Sequence, residues 1–130
     1  MTILYVDDDA DDREIFCDAV RSIDENIICV TATNGLDALS FLESQTQLPD
    51  VVFLDINMPL MGGKTCLAEI RGSKKMAHLH VIMFTTSTNP REIEECKKIG
   101  ANDFINKPAS YLHLRELLTF IINTRKTLFV

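Results

Sequence analysis

Residues 51–59 read Val51-Val52-Phe53-Leu54-Asp55-Ile56-Asn57-Met58-Pro59. Four consecutive apolar residues end abruptly on a carboxylate, and a Pro-containing turn follows. Apolar side chains at successive positions suit a strand covered on both faces, since neighbouring residues of a strand point to opposite sides. The same pattern recurs outward from this stretch. Ile3–Val6 (ILYV) runs into Asp7-Asp8-Asp9, and Val81–Phe84 (VIMF) runs into Thr85-Thr86-Ser87. Ile27–Val30 (IICV) leads to Thr31, and a weaker pair, Phe104-Ile105, leads to Lys107-Pro108. The first four runs are expected to be strands buried on both faces.

Between these runs the apolar spacing turns helical. One helix is expected from about Asp11 to Ser22, with Ile15, Phe16, Ala19, Val20 and Ile23 inward. A second follows Asn34 and carries Leu36, Ala38, Leu39, Phe41 and Leu42; a third spans Gly63 to Arg71 with Cys66, Leu67 and Ile70 inward. The fourth opens on Asn89 as N-cap and Pro90 as first helical residue and stops at Gly100. The last runs from Ser110 to Arg125 on Leu114, Leu117, Leu118, Ile121 and Ile122. Five βα units imply an α/β fold: a doubly wound five-stranded parallel sheet with five helices and right-handed crossovers. One domain over residues 1–125 is expected, with 126–130 as a short C-terminal tail.

Composition narrows the function. Thirteen basic residues against nineteen acidic ones give a formal net charge of −6, which disfavours direct nucleic acid binding. No apolar run approaches the ~18 residues of a membrane helix, so no membrane insertion is expected. The opening MTILYVDDDADD has no basic stretch before its apolar residues, so no secretory signal is expected and the location reads as cytoplasmic. Cys17, Cys29, Cys66 and Cys96 are scattered without a CxxC pair and read as free buried thiols of a reducing compartment. His78, His80 and His113 lack a third ligand near them in sequence and do not suggest a metal site.

In an open α/β sheet, ligands bind beyond the carboxyl ends of the strands. Asp7, Asp8, Asp9, Asp55, Thr85 and Lys107 all stand there. Taken singly, each has an ordinary reading as a helix cap, a turn residue or a surface lysine. Taken together, carboxylates crowded at one edge repel, and a divalent cation or Lys107 relieves them. Oxygen ligands without soft partners point to a hard cation such as Mg²⁺ (or Mn²⁺), which typically shares a phosphate oxygen. With Lys107 and the Thr85 hydroxyl the set describes a phosphoryl site, and a carboxylate left free can act as the nucleophile.

VDDD, FLDINMP, FTTS and GANDFINKP stand in this order, with thirty residues from Asp55 to Thr85 and fifty-two to Lys107. NGLDALSFL adds a second-helix pattern. Over essentially its whole length the chain resembles a response-regulator receiver domain of the stand-alone, chemotaxis-regulator-like type. The resemblance implies a flavodoxin-like strand order 2-1-3-4-5 and two-component signal transduction. It implies that Asp55 is the phosphoacceptor, Asp8 a direct metal ligand, Asp7 a ligand through water, and the Asn57 backbone carbonyl the third protein ligand. Thr85 matches the switch hydroxyl, Phe104 the aromatic switch position and Lys107 the phosphate-pairing lysine. A cis Lys107–Pro108 peptide is implied as well. The partners implied are a sensor histidine kinase or histidine phosphotransfer protein, and a downstream protein target or a second copy docking on the last two helices. The chain departs from the family at Gly62-Gly63, where Asp-Gly is frequent; a looser loop is expected there. Phe104 stands where Tyr is common, and Asp9 is an additional carboxylate.

Two other functions compete: a receiver-like binding module that is never phosphorylated, and a haloacid-dehalogenase-like phosphohydrolase using Asp55. The complete set of Asp8, Asp55, Thr85 and Lys107 speaks against the first. Asn57 speaks against the second, which wants an acid two residues after its nucleophile.

Overall fold

The computed structural model describes residues 1–128. Five strands alternate with five helices: β1 (Thr2–Val6), α1 (Ala10–Ile23), β2 (Ile28–Ala32), α2 (Gly35–Ser44), β3 (Val51–Leu54), α3 (Gly63–Gly72), β4 (Val81–Thr85), α4 (Pro90–Ile99), β5 (Asp103–Asn106) and α5 (Tyr111–Leu128). All neighbouring strands pair in parallel, in the order β2-β1-β3-β4-β5. The expected doubly wound sheet is therefore present. α5 continues to Leu128, into the stretch expected as a tail; residues 129–130 lie outside the described residues. Among the described residues no helix is long and apolar enough to cross a membrane.

The continuous apolar runs split between two cores because side chains alternate along a strand. Ile3, Tyr5, Val51, Phe53, Ile82 and Phe84 face α1 and α5, where Phe16, Leu118 and Ile122 are buried with them. Leu4, Val6, Val52, Leu54, Val81 and Met83 face the other way, onto Leu42, Leu67, Ile70 and Cys96 of α2, α3 and α4. The first core has an aromatic centre. The Tyr5 ring stacks on Phe16 at 4.0 Å, and Phe16 meets Phe53 edge-on at 5.0 Å.

Three expectations need correction. β2 begins at Ile28 and runs to Ala32, and it is not buried on both faces: Ile28 is 60% exposed. It is an edge strand, paired only to β1, so its flank lacks cover. Ile15 and Leu36, expected inward, are exposed because each lies at the margin of its helix's apolar stripe. Lys107–Pro108 is trans, as is every described peptide bond; trans is the lower-energy isomer of an X–Pro bond. At α4 the expectation holds in detail: the Asn89 side chain accepts from the Arg91 N–H, and Gly100 ends the helix in the left-handed region at φ 119°.

Candidate functional site at the carboxyl edge of the sheet

Strand register assembles the site. Val6 pairs with Leu54, and the Asp55 N–H donates to the Val6 carbonyl at 3.1 Å, so Asp7 and Asp55 emerge side by side. Leu54 pairs with Met83, which brings the end of β4 and Thr85 alongside. The Lys107 N–H donates to the Thr85 carbonyl at 2.9 Å and anchors the last loop at the same edge. This edge, where α1 leaves one face of the sheet and α3 the other, is the switch point at which such folds bind ligands.

Lys107 is the hub. Its Nζ lies 2.6 Å from Asp7 Oδ2, 3.1 Å from Asp55 Oδ2 and 3.1 Å from Asp12 Oδ2. Asp7 is 1% exposed, and its carboxylate is held on every side. Oδ2 also accepts the Tyr5 hydroxyl at 2.7 Å, and Oδ1 accepts the Asp9 N–H at 3.1 Å. Burial pushes the Asp7 carboxyl up, but the donors from Lys107, the Asp9 backbone and Tyr5 outweigh it and hold the group below its usual range. Asp55 accepts the Ile56 N–H at 2.8 Å as well as Lys107. Burial raises it, the Lys107 charge lowers it, the Asp7 charge raises it again, and the net direction is upward. For Lys107, burial favours the neutral amine, yet the bond to Asp7 and the charges of Asp55 and Asp7 dominate, so its ammonium is held more tightly than usual.

Asp7, Asp8 and Asp55 each offer a carboxylate oxygen, and these lie within 4.8 Å of one another. Hard oxygen ligands at this spacing, with Asp8 exposed toward solvent, fit a divalent cation. With Asp7 Oδ2 occupied by Lys107 and Tyr5, only Oδ1 is left to face such an ion. Asn57 lies exposed in the loop two residues beyond Asp55. Thr85 is 1% exposed, and its Oγ1 accepts the Ser87 N–H at 3.3 Å. Phe104 sits partly buried against the α2–α4 core, opposite Met83 in the register. A cleft of about 350 Å³ opens beside Lys107, lined by Tyr5, Asp12, Phe84, Tyr111 and Leu114.

The structure thus brings together Asp7, Asp8, Asp55, Thr85 and Lys107, and it adds Asp12 and Tyr5, which the motif reading passed over. A tyrosine in a fully buried strand needs a partner for its hydroxyl, and Asp7, two residues on, faces the same side. That signal was available in the sequence; the reach of Asp12 to a residue 95 positions away was not. Asp9 has a plain duty as N-cap of α1, accepting the Asp12 N–H at 3.0 Å. Gly62-Gly63 does not loosen its loop. A Cβ on Gly63 would lie 2.0 Å from the Asp55 carbonyl oxygen, so glycine is what lets α3 start against the loop that begins at Asp55.

The family model for the response regulator receiver domain matches residues 3–119. The chain belongs to this family. A two-component response regulator of Oryza sativa subsp. japonica, ORR12, is 32% identical over 119 residues, covering 92% of this chain and 96% of that one. The receiver likeness also extends to longer proteins. A protein-glutamate methylesterase/protein-glutamine glutaminase of Methanococcoides burtonii is 33% identical over 129 residues, and the match covers 97% of this chain but only 35% of the enzyme. Among solved structures, the phosphorylated cyanobacterial phytochrome response regulator RcpA superposes with a TM-score of 0.85 at 26% identity, over 92% of this chain and 89% of that one. This receiver domain is accordingly a module of two-component signal transduction, a family whose members interact with histidine kinases or phosphotransfer proteins and are phosphorylated on aspartate.

Proposed function

We propose that Asp55 is the phosphoacceptor and that it takes its phosphoryl group from phosphohistidine on a sensor histidine kinase or histidine phosphotransfer protein. The observation that carries this reading is the position of Asp55, clustered with Asp7 and Asp8 and 3.1 Å from the Lys107 ammonium. An Asp55 carboxylate oxygen attacks phosphorus, a P–O bond forms, the P–N bond to the donor imidazole breaks, and the imidazole leaves with its electron pair and is protonated. Lys107 pairs with charge on the phosphoryl oxygens, and the Thr85 hydroxyl donates to another. Asp8 and Asp55 would hold Mg²⁺ (or Mn²⁺) directly, the Asn57 carbonyl would complete the protein ligands, and Asp7 would reach the ion through water. When bound, the cation offsets the negative charge of the carboxylates and the incoming phosphoryl group.

Thr85 and Phe104 form the switch. As the Thr85 hydroxyl moves toward the phosphoryl group it leaves space beneath α4, and the Phe104 ring has no hydroxyl to satisfy when it turns inward. The face so altered is 90–125, where a downstream protein target or a second copy docks. The free thiols suit a reducing, cytoplasmic setting. The test is mass after incubation with acetyl phosphate and Mg²⁺. Wild type gains about 80 Da, the mass of one phosphoryl group in place of a proton. Asp55→Asn and chelator-treated wild type gain nothing. An Asn variant that loads at the wild-type rate overturns the assignment, and steady turnover of general phosphate esters would indicate a hydrolase instead.

A further inference from the structure

Cys17 on α1 and Cys29 on β2 bring their sulfurs to 2.6 Å. Both cysteines are free thiols, as expected, but Cys17 is buried and Cys29, expected buried, is half-buried. Neither belongs to the acidic cluster, and nothing in the phosphoryl site uses them. Their closeness follows from the fold. Cys29 pairs in register with Ile3, on the face of the sheet that α1 covers, and Cys17 is on the turn of α1 that crosses this edge strand. The other two thiols are placed differently: Cys66 is buried with its Sγ 3.7 Å from the Gly35 carbonyl, and Cys96 is buried in the α4 core.

We propose that Cys17 and Cys29 form an oxidisable dithiol site that hydrogen peroxide closes to an intramolecular disulfide. The pair is chemically polarised. The Cys29 thiol beside it and the Arg21 guanidinium favour the thiolate of Cys17, with burial opposing them, whereas Cys29 is pushed up by its bond to Cys17 and by burial. Cys17 therefore attacks first. Its thiolate sulfur bonds to one peroxide oxygen, the O–O bond breaks, and the departing hydroxide takes a proton to become water. The Cys29 sulfur then attacks Cys17 Sγ; the S–S bond forms, the S–O bond breaks, and the second oxygen leaves as water with the Cys29 proton. The two thiols lose two electrons and the peroxide is reduced to two waters. The bond ties α1 to an edge strand that is otherwise paired on one side only.

The experiment treats the folded protein with hydrogen peroxide at neutral pH, then blocks remaining thiols with N-ethylmaleimide in denaturant. Untreated protein carries four maleimides, one on each free cysteine. Oxidised protein is expected to carry two, to be lighter by about 2 Da before blocking, and to recover all four sites with dithiothreitol. Peptide mapping should join Cys17 to Cys29 within one chain. Cys29→Ser should stop at a Cys17 sulfenic acid that dimedone traps. The closed loop should raise the unfolding midpoint by about 10 °C. Four maleimides after treatment, a cross-link to another cysteine or between chains, or a lower midpoint for the oxidised protein would each overturn the proposal. Wild-type mapping decides the question even if the serine variant folds poorly.

Discussion

The Tyr5 hydroxyl offers a clean perturbation of the site, because one oxygen atom can be removed with nothing else displaced. In Tyr5→Phe the ring keeps its stack on Phe16 at 4.0 Å and its edge contact with Phe84. What disappears is the 2.7 Å bond to Asp7 Oδ2. A hydrogen bond to a charged partner contributes about 1.5–3 kcal/mol net. Asp7 is not left bare, since Lys107 Nζ stays 2.6 Å from the same oxygen, so the loss falls near the lower bound, about 1.5 kcal/mol. For a domain of this size that is a fall of about 5 °C in the unfolding midpoint. The assay is urea and thermal unfolding at neutral pH in chelator, run as a double-mutant cycle with Asp7→Asn. The pH dependence has a definite sign. Asp7 is held below its ordinary value of 3.8 in the fold, so the stability it contributes is complete above that value and is lost as pH falls through the folded one. The gap between wild type and Tyr5→Phe should therefore narrow in acid. Equal stability at neutral pH, or a coupling below about 0.3 kcal/mol in the cycle, would refute the claim that Tyr5 steadies Asp7.

Three further outcomes are expected. Asp55 is raised in the fold, so its ionised form costs stability above the usual carboxylate range; Asp55→Asn should melt higher than wild type at neutral pH in chelator, with the advantage shrinking as acid protonates wild-type Asp55. The aspartyl phosphate should last minutes or longer, because Ser87 is short and uncharged and orients water less well than an acid or amide would, leaving Asn57 as the better group for that task; a mass time course showing loss within seconds would contradict this. With beryllofluoride bound, Phe104→Ala should blunt the change in amide hydrogen exchange over residues 90–106, and an unaltered response would remove Phe104 from the switch.

Much of this was legible in the sequence, for a physical reason. Strands buried on both faces must be apolar almost throughout, so β1, β3 and β4 announce themselves, and the polar residue that ends each apolar run stands at the candidate site by topology. β2 carries a similar run, yet Ile28 lies open to solvent, because sequence alone does not say which strand ends the sheet. Asp7, Asp55, Thr85 and Lys107 were readable because each sits at a strand end. Asp12 was not, since its role depends on how α1 is rolled against the last loop. Gly63 was read as slack when the reverse holds, because a glycine's freedom and its need for close approach look the same in one dimension. The sulfurs of Cys17 and Cys29 meet only because an edge strand and a helix cross, and no spacing rule encodes that crossing.

On the role proposed for Asp55, Lys107 must serve two states, and its three carboxylate contacts suit it to both. Asp7, Asp8, Asp12 and Asp55 place four negative charges around one ammonium in the absence of metal. Such a cluster holds together only if the ammonium bridges several of them, and it does. The bridges are unequal. Asp7 is buried, accepts at 2.6 Å, and is steadied by Tyr5, so its hold on Lys107 is persistent. The Asp12 side chain is 41% exposed and accepts at 3.1 Å, so solvent and salt screen its attraction to a small contribution. When a phosphoryl group adds charge to Asp55, Lys107 can exchange Asp12 for a phosphoryl oxygen while keeping Asp7. Asp12 therefore acts as a counter-charge that keeps the lysine in place without locking it. Replacing the strong partner would take the shortest bond from a mostly buried ammonium and leave it the two contacts at 3.1 Å, whereas replacing the weak one would cost little stability and bias Lys107 toward Asp55 before any phosphoryl group arrives.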